Sequence, residues 1–425
     1  MHQNEGSRMD KALIPEGLKR CPLPVFGIWA LILLAIIGWG VGAGAMVLLK
    51  ALNVTGLNDY FGFGAYITVD LAIIALGAGA FFSGFLYYGL SRFFPALKEL
   101  YKIINLAVII GFVCYTGAIV ILLLEIGQPV RGWFPYWHAN VHSMLTEVIF
   151  CITCYAIVLL IEYVPIILEN RKLQEHKAVR VFGHSLHDCM AIFALTGTFL
   201  SFFHQGSLGG VAGVLFARPF AFRGGFFIWP WTFFLFILSA IASGPAFTAL
   251  VCRAIEKVSR KKLVDYSVYE LIGKIVAGLL SFYIVLKIID TLYWAFVQSP
   301  EFGFTLGDFY HGSAYGIWLL ITEIIICGVI PAAVLLTPKG RKNSFLLFLM
   351  FFLDIVGVSL NRYVMTVQAI AAPVMPFDKW EVYMPTVYEV APSLAMLAYC
   401  VLIISLSYRY LPLFPREKEL NAVYK

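Results

Sequence analysis

The sequence predicts an all-α, polytopic integral membrane protein with ten transmembrane helices. Of its 425 residues, 60% are hydrophobic and only 13% are charged, and the mean hydropathy is +0.84. A water-soluble globular protein with this composition would carry an apolar surface, so that class is excluded. The net charge of +6 does not indicate a nucleic-acid partner, because the basic residues follow the membrane topology described below.

Ten apolar runs are long enough to cross a membrane, which takes roughly 20 residues at about 1.5 Å of rise per residue. We label them TM1 to TM10; they cover 25–52, 63–90, 103–126, 141–166, 181–205, 227–252, 267–297, 313–336, 344–370 and 386–411. Residues 1–24 are polar, and TM1 does not end in a small-residue cleavage site. TM1 is therefore predicted to be a membrane span and not a cleaved signal.

Basic residues alternate between the loops. The N-terminus, the loops after TM2, TM4, TM6 and TM8, and the C-terminal tail together carry 23 Lys and Arg residues, whereas the remaining loops and helix ends carry five. Cytoplasmic loops of membrane proteins are enriched in Lys and Arg. We therefore expect a multi-pass protein of the bacterial inner membrane with both termini in the cytoplasm.

A short repeat predicts two related halves. TM4 contains Thr146-Glu147-Val148-Ile149-Phe150-Cys151, and TM8, four helices later, contains Thr322-Glu323-Ile324-Ile325-Ile326-Cys327. A repeat with the same direction suggests two four-helix bundles, TM2–TM5 and TM6–TM9, flanked by TM1 and TM10. The alternative is a chance match between apolar helices. The predicted division is 1–24 (N-terminus), 25–62 (TM1 and outer loop), 63–205 (first bundle), 206–226 (outer loop), 227–370 (second bundle) and 371–425 (outer loop, TM10 and tail).

Titratable residues in the first predicted bundle indicate a quinone site near the outer face. Asp70 on TM2 and Glu147 on TM4 both lie about 10 Å inward by helical rise. Tyr66 is one turn outward of Asp70, and His142 and His138 lie nearer the surface. Each quinone oxygen needs a hydrogen-bond donor and each reduction takes two protons, so we predict Asp70, His142 and Glu147 as catalytic groups. The alternative is that they only hydrogen-bond neighbouring helices.

The start of predicted TM5 indicates a proton entrance from the cytoplasm. His184, His187 and Asp188 are spaced to share one helical face. Ordinary packing at the membrane interface is the alternative. A bis-histidine haem that uses His142 and His204 near the outer face is a further alternative.

The second predicted bundle carries more intramembrane charge, which is costly in hydrocarbon and commonly marks an ion or proton path. The spacings of Glu270 with Lys274 and of Lys287 with Asp290 allow pairing within TM7. A structural network of neutralised pairs is therefore one interpretation, and a vestigial carrier site or a proton half-channel is the other. The predicted proton-path residues of this bundle are Lys274, Asp290, Glu323, Asp354 and Arg362.

The chain shows no motif for an electron-carrying cofactor. It has no P-loop, no dinucleotide-binding glycine pattern and no HExxH. The eight cysteines mostly fall within apolar helices, and only Cys151 and Cys154 are closely spaced, so we expect structural thiols and no metal site. If the chain handles a quinone, the electrons must be exchanged with a partner protein.

The outer loops supply a candidate docking surface for that partner. Loops 127–140 and 206–226 are rich in Gly, Pro and Trp, which is typical of either an interfacial aromatic belt or the entrance of a ligand site. Arg131, Trp133, Arg218 and Arg223 include nearly all the basic residues of this face. We predict that they face a partner protein.

Several motifs resemble the NrfD/polysulfide reductase membrane-subunit family, in its ten-helix branch. They are Leu124-Glu125-Ile126-Gly127-Gln128-Pro129-Val130-Arg131, followed by Asn140 and Glu147; His204-Gln205-Gly206-Ser207-Leu208-Gly209; and Asn361-Arg362. The resemblance extends over essentially the whole chain. Two departures are Gln128, where the family often has arginine, and Gly206, where it usually has serine. The first puts in doubt whether a charge at position 128 is needed.

The resemblance implies a haem-free subunit that binds menaquinone near the periplasmic face. Its partners would be a periplasmic, ferredoxin-like iron–sulfur subunit and, in similar complexes, a molybdopterin-family protein and a multihaem cytochrome c. The residues expected to bind the quinone are Tyr66, Asp70, Arg131, Trp133, His138, Asn140, His142, Glu147 and His204. Such a subunit belongs to a respiratory oxidoreductase complex and is not catalytic alone. The competing class is a transporter or ion-translocating subunit without a redox role.

Overall fold

The computed structural model describes residues 2–215, 218, 220–226, 229–373, 375 and 379–419. The described residues are 78% helical. In the described part, nine helices are long and apolar enough to cross a membrane, and a tenth span forms if one bent helix pair is counted as one. The prediction of an all-α polytopic membrane protein is confirmed. We keep the predicted orientation in naming the ends of the helices outer and cytoplasmic.

Most of the predicted spans appear with shifts of a few residues. The long helices are TM1 (Leu23–Lys50), TM2 (Ala65–Gly84, continuing as a π-helix over Phe85–Leu90), TM3 (Tyr101–Glu125), TM4 (Met144–Leu168), TM5 (Met190–Gly213), TM6 (Trp231–Ser259), TM7 (Tyr266–Tyr293, continuing as a π-helix over Trp294–Gln298), TM8 (Ile317–Leu320, Ile321–Val329 and Ile330–Leu336), TM9 (Ser344–Thr366) and TM10 (Val387–Tyr410).

Short elements connect these spans. The helical ones are His2–Leu13, Ala51–Val54, Pro95–Leu100, Pro129–Arg131, Phe134–Trp137, Arg171–Gln174, Lys177–Asp188, Ser299–Glu301, Leu306–Phe309, Pro338–Lys342, Gln368–Ile370 and Pro415–Glu419. Two strands, Gly225–Phe226 and Trp229–Pro230, pair antiparallel in the outer connection before TM6.

TM2 is the central helix of the molecule. It packs against TM3, TM5, TM6 and TM9. Where it crosses TM6, a Cβ atom on Gly79 would overlap the backbone of Gly244, so the two helices touch through their main chains. Small residues permit such close approach between membrane helices. The two sequence halves therefore meet directly at the centre, and the division into two bundles stays a prediction.

TM5 differs from its predicted bounds of 181–205. The helix begins at Met190 and continues to Gly213, because the glycine-rich stretch 206–213 is helical and not part of an outer loop. Its glycines allow TM6 to approach: a Cβ on Gly206 would meet Phe233, and one on Gly209 would meet Thr232 and Phe236. The glycines serve helix packing here, so reading them as a loop was wrong.

The segment before TM5 is a separate helix, Lys177–Asp188, whose axis is bent by 53° from that of TM5. His184, His187 and Asp188 lie on this helix and are exposed. The predicted span 181–205 is therefore bent at this point, and the role of these residues in a proton path stays a prediction. The break at Cys189 leaves them at the cytoplasmic end of the bundle.

The two ends of the chain are joined at the cytoplasmic side. The Arg409 guanidinium forms an ion pair of 2.7 Å with Asp10, and the Tyr410 hydroxyl donates to the same carboxylate at 2.9 Å. Arg20 and Glu417 form a second buried ion pair, also of 2.7 Å. Burial alone raises the pKa of Asp10, but hydrogen bonds from Arg409 and Tyr410 outweigh it and hold the pKa below its ordinary value of 3.8.

Candidate functional site

A cavity of about 830 Å³ opens between the outer ends of TM1 to TM5 and TM9. Its wall is mostly apolar. The lining side chains include Phe63, Ile67, Leu71, Ile74, Ile119, Leu122, Leu123, Leu145, Val148, Ile149, Ile152, Leu208, Val211 and Met365. A volume of this size is typical of sites that hold a small-molecule ligand or cofactor.

Two polar side chains interrupt the apolar wall in its buried part. Asp70 on TM2 is 2% exposed, and its Oδ1 atom has no hydrogen-bond partner among the described residues. His204 on TM5 is fully buried; neither ring nitrogen makes a hydrogen bond there, although the Val148 backbone lies close to the ring. An unpaired buried polar group costs about 1–3 kcal/mol. Both residues were predicted, and their unpaired atoms indicate that the cavity accommodates a polar ligand.

The mouth of the cavity is formed by the turn after TM3. Gly127 has a φ of +69°, a conformation that side chains with a Cβ rarely adopt, and it allows the chain to reverse there. Gln128 and Arg131 follow on the wall, and Arg131 is exposed. A guanidinium is thus available at the entrance, as predicted for Arg131.

Glu147 does not line the cavity. The lining residues of TM4 include Leu145, Val148, Ile149 and Ile152. At 3.6 residues per turn, Glu147 lies roughly 170° around the helix from the mean direction of that face. Its half-buried side chain is in the first turn of TM4, on the side away from Asp70.

The remaining predicted quinone residues also lie off the wall. Trp133, His138, Asn140 and His142 are exposed in the outer segment between TM3 and TM4. His142 precedes the first residue of TM4, so its predicted position on that helix is wrong. Tyr66 is fully buried, but its hydroxyl donates to the Tyr388 carbonyl of TM10 and does not reach the wall.

An acidic cluster that the sequence analysis missed lies beside the cavity. Glu389, at the start of TM10, is fully buried and accepts hydrogen bonds from the Gly56 amide at 2.6 Å and from the Tyr383 hydroxyl. Burial and the neighbouring Glu389 carboxylate raise the pKa of Tyr383. Glu125 on TM3 is 8% exposed, and its Oε2 atom has no partner among the described residues. It lies close enough to Asp70 for the two charges to interact.

One signal in the sequence pointed to Glu389. Thr386 and Glu389 have the spacing of a helix capping box, and the structure forms that box at the first turn of TM10. The pattern predicts a helix start but not the burial of its glutamate.

A buried polar network occupies the second half of the chain. The Lys287 ammonium and the Glu323 carboxylate are 3.3 Å apart, and the Asn361 amide donates to Glu323 at 2.8 Å. Arg362 is fully buried; it donates to Asn361 at 2.7 Å and to the Ser239 hydroxyl at 2.9 Å. Its guanidinium also lies 3.6 Å from the centre of the Phe236 ring. Two predicted proton-path residues, Glu323 and Arg362, are thus linked through Asn361.

Asp354 borders a small cavity with Tyr283, Lys287 and Glu323. The cavity has a volume of about 10 Å³, close to the minimum for one water molecule. Asp354 is 1% exposed, and neither of its carboxyl oxygens has a hydrogen-bond partner among the described residues. One water in this space would have several polar partners.

Thr366 is a polar residue between this network and the large cavity, and it bonds the main chain of Arg362 and not its guanidinium. Thr366 lies one turn beyond Arg362, donates to the Arg362 carbonyl at 2.7 Å and lines the cavity. Its hydroxyl is also 2.9 Å from that of Thr68 on TM2. Polar atoms therefore lead from TM9 to the cavity wall.

Three other predictions are corrected. Arg223 is buried, 3.5 Å from Asp290 and 4.0 Å above the Trp294 ring, so it is not on a docking surface. Arg218 donates to the Ile370 carbonyl at 3.1 Å and stabilises the outer loops. Lys274, predicted as a proton-path residue, is exposed on TM7. A long basic side chain at such a position can extend along the helix to the membrane surface.

The described residues contain no group of three or more His, Cys, Asp or Glu side chains that could hold a metal ion. All eight cysteines are free. His204 is the one buried histidine among those whose side chains the structure describes. A bis-histidine haem needs two, so the described side chains do not fit that group.

Comparison with known proteins identifies the family. The family model described as polysulphide reductase, NrfD matches residues 53–373, about three quarters of the chain. The chain belongs to the NrfD family. The resemblance seen in the sequence motifs is thereby confirmed, while TM10 with Glu389 lies outside the matched segment.

Three NrfD-like relatives are similar over most of their length. The integral membrane subunit of menaquinone reductase from Nitratidesulfovibrio vulgaris is 55% identical over 99% of this chain and 100% of its own. A selenate reductase subunit from Mesobacillus selenatarsenatis is 21% identical over 88% of this chain and 91% of its own. The probable Ni/Fe-hydrogenase 2 b-type cytochrome subunit from Escherichia coli is 24% identical over 86% of this chain and 87% of its own.

Proposed function

We propose that this NrfD-family protein is the quinone-reactive membrane subunit of a respiratory oxidoreductase complex and takes menaquinone into the cavity near the outer face. The observation that carries the proposal is the pair of unpaired buried groups, Asp70 and His204, in a mostly apolar cavity of about 830 Å³. The similarity to a menaquinone reductase subunit supports the choice of quinone.

The two buried groups have complementary roles in this proposal. The quinone supplies the redox chemistry when bound. His204 on TM5 and Asp70 on TM2 hold its oxygens by hydrogen bonds, and Asp70 transfers a proton. Such general acid catalysis contributes typically about 10²–10⁴-fold. The apolar wall excludes water and contacts the rings and the isoprenoid tail.

Electrons would be exchanged with a periplasmic, ferredoxin-like iron–sulfur subunit. The outer segment between TM3 and TM4 supports a docking role, since Trp133 is 51% and Trp137 75% exposed beside Arg131. Exposed tryptophan and arginine are enriched in protein interfaces. By family resemblance, further partners are a molybdopterin-family protein and a multihaem cytochrome c.

Protons for quinone reduction would come from the cytoplasm, with both termini on that side of the bacterial inner membrane. The polar groups that support such a route are Asp354, which shares the small cavity with Glu323, and Asn361 and Arg362, which follow Glu323 by hydrogen bonds. The same groups favour the second candidate, an ion-translocating subunit without a redox role.

A cavity-filling variant separates the two functions. We expect Val211→Trp, on the cavity wall, to abolish binding of a photoreactive menaquinone analogue to the purified complex. A matched variant away from the cavity, Val285→Trp on the exposed face of TM7, should bind it like the wild type. The quinone site would be rejected if the photoreactive analogue labelled both variants equally and the purified complex contained no quinone. The ion-translocating subunit would then be favoured.

A further inference from the structure

The helix Lys177–Asp188, which we call the interfacial helix, has no part in the quinone chemistry proposed above. Its axis diverges by 53° from TM5, so it leaves the bundle direction at the cytoplasmic end. All its side chains are exposed or half-buried. Because the interfacial helix diverges from TM5, it must pack against another surface.

The interfacial helix has two distinct faces. At 3.6 residues per turn, one face carries the residues Ala178, Val179, Phe182, Gly183 and Leu186. The opposite face carries Lys177, Arg180, His184, His187 and Asp188, with Val181 as the one apolar exception. This separation is typical of helices that lie in the plane of a membrane interface.

One edge of the apolar face is covered and the other is open. A Cβ on Gly183 would lie 3.6 Å from Leu168, so the helix packs on the end of TM4. Phe182 is 56% exposed, and on TM4 the side chains of Leu160 and Ile167 are 52% and 37% exposed. Apolar side chains are thus exposed both on the interfacial helix and on the cytoplasmic half of TM4, the helix against which it packs.

The basic face is not neutralised within the chain. Arg171 pairs with Glu16 at 3.6 Å and Lys172 with Glu175 at 3.5 Å. In the described part of the chain, by contrast, no ion pair includes Lys177 or Arg180. Exposed cations above an open apolar surface match a ligand with an anionic head and hydrocarbon tails.

We propose that the interfacial helix and the end of TM4 form a binding site for an anionic phospholipid of the cytoplasmic leaflet. Lys177 and Arg180 hold the phosphate by charge-assisted hydrogen bonds, and the acyl chains lie along Phe182 and Ile167. The cytoplasmic leaflet is the anionic one, and a basic residue near it gains about 1 kcal/mol. The site depends on the proposed membrane orientation and not on the quinone chemistry.

Native mass spectrometry of the full chain in detergent tests the site. Phosphatidylglycerol and phosphatidylcholine with identical acyl chains are titrated separately. We expect the wild type to bind phosphatidylglycerol more tightly, and the double variant Lys177→Gln/Arg180→Gln to weaken that binding by about tenfold or more without changing phosphatidylcholine binding. Phe182→Ser should weaken both lipids.

The matched control removes the same charge elsewhere on the same side. Lys339 and Lys342 are exposed and lie in the helix after TM8. Lys339→Gln/Lys342→Gln should bind phosphatidylglycerol like the wild type. Equal losses in the two double variants, or no preference for phosphatidylglycerol in the wild type, would overturn the site and leave an acidic protein as the partner of this face. Because the quinone cavity is unaltered, the intact complex with either double variant should keep quinone reduction in detergent.

Discussion

Asp70 in TM2 and Glu323 in TM8 are both carboxyl groups buried to at least 95%, but their surroundings differ. Asp70 faces a cavity of about 830 Å³ and has an oxygen without a partner among the described residues, whereas Glu323 is paired with Lys287 and Asn361 beside a cavity of about 10 Å³. The first arrangement leaves a polar group for a ligand, and the second pairs the carboxylate within the protein. Burial alone therefore does not distinguish a carboxyl that is free for a ligand from one that is paired.

The repeated glutamates make the same point. Glu147 and Glu323 occupy equivalent positions in the repeat, yet Glu147 is half-buried in the first turn of TM4 and Glu323 is buried in a π-helical part of TM8. π-helical segments shift the direction of the side chains that follow and are frequent at functional sites. A repeat in sequence predicts related helices, but the helical geometry decides which side chains face inward.

The largest expected effect concerns Asp70. If it transfers a proton to the quinone, Asp70→Asn should lower kcat for menaquinone reduction by about 10²–10⁴-fold, measured with the intact complex and a soluble menaquinone analogue. Glu147→Gln provides the matched control, since that carboxyl faces away from the cavity, and should change kcat less than about twofold. The reverse order of effects would show that the catalytic carboxyl is on TM4.

The ion pair in the second half should matter more for stability. Lys287→Met removes the cation and leaves Glu323 buried without its charge partner, which typically costs about 3–5 kcal/mol. Thermal unfolding in detergent would measure the loss. The double variant Lys287→Met/Glu323→Leu should recover most of it, because no uncompensated charge remains. Single and double variants of equal stability would contradict the pairing.

A smaller effect is expected at Asp354. Asp354→Asn should slow the build-up of membrane potential in liposomes by about tenfold, if this carboxyl passes protons towards Glu323. Affinity for the quinone should not change, since Asp354 is not on the large cavity. A normal potential with normal turnover would show that the second-half network is structural.

The smallest effect concerns the cytoplasmic ion pair. The folded pKa of Asp10 is below its ordinary value of 3.8, so its stabilisation is complete above that pH and is lost as the pH falls through the folded value. Asp10→Asn should cost about 1.5–3 kcal/mol at neutral pH. The fall in melting temperature at acid pH that comes from protonation of Asp10 should also disappear in this variant. An unchanged melting temperature at pH 7 would exclude a role for the pair.

Much of the fold was predictable because hydrophobic runs and loop charges are properties of the sequence itself. TM5 was misplaced because the glycines at 206–213 have the composition of a loop but pack against TM6. Arg223 was assigned to the surface because a count of basic residues does not detect burial against Trp294. Local composition thus fails where tertiary packing decides the outcome.

The candidate site was predictable in its chemistry and less so in its members. Asp70 and His204 were predicted and line the cavity. Glu147 was included because its depth matches that of Asp70, but depth says nothing about direction around the helix. Glu125 and Tyr383 are both held by the start of TM2, where the Gly64 amide donates to Glu125 and the Ala65 amide donates to Tyr383. A single sequence shows no pattern that predicts these contacts between distant segments.

The pairing of TM1 with TM10 has a consequence for biosynthesis. TM10 packs along TM1, and a Cβ on Gly40 would overlap Ala391 and Ala395. Asp10 likewise pairs with Arg409, 399 residues later. During translation, TM1 enters the membrane long before its partner exists, so most of its surface must be shielded by lipid or by the insertion machinery. A ribosome that stalls before TM10 would release a chain with an unpaired first helix, which the cell's quality-control proteases can recognise.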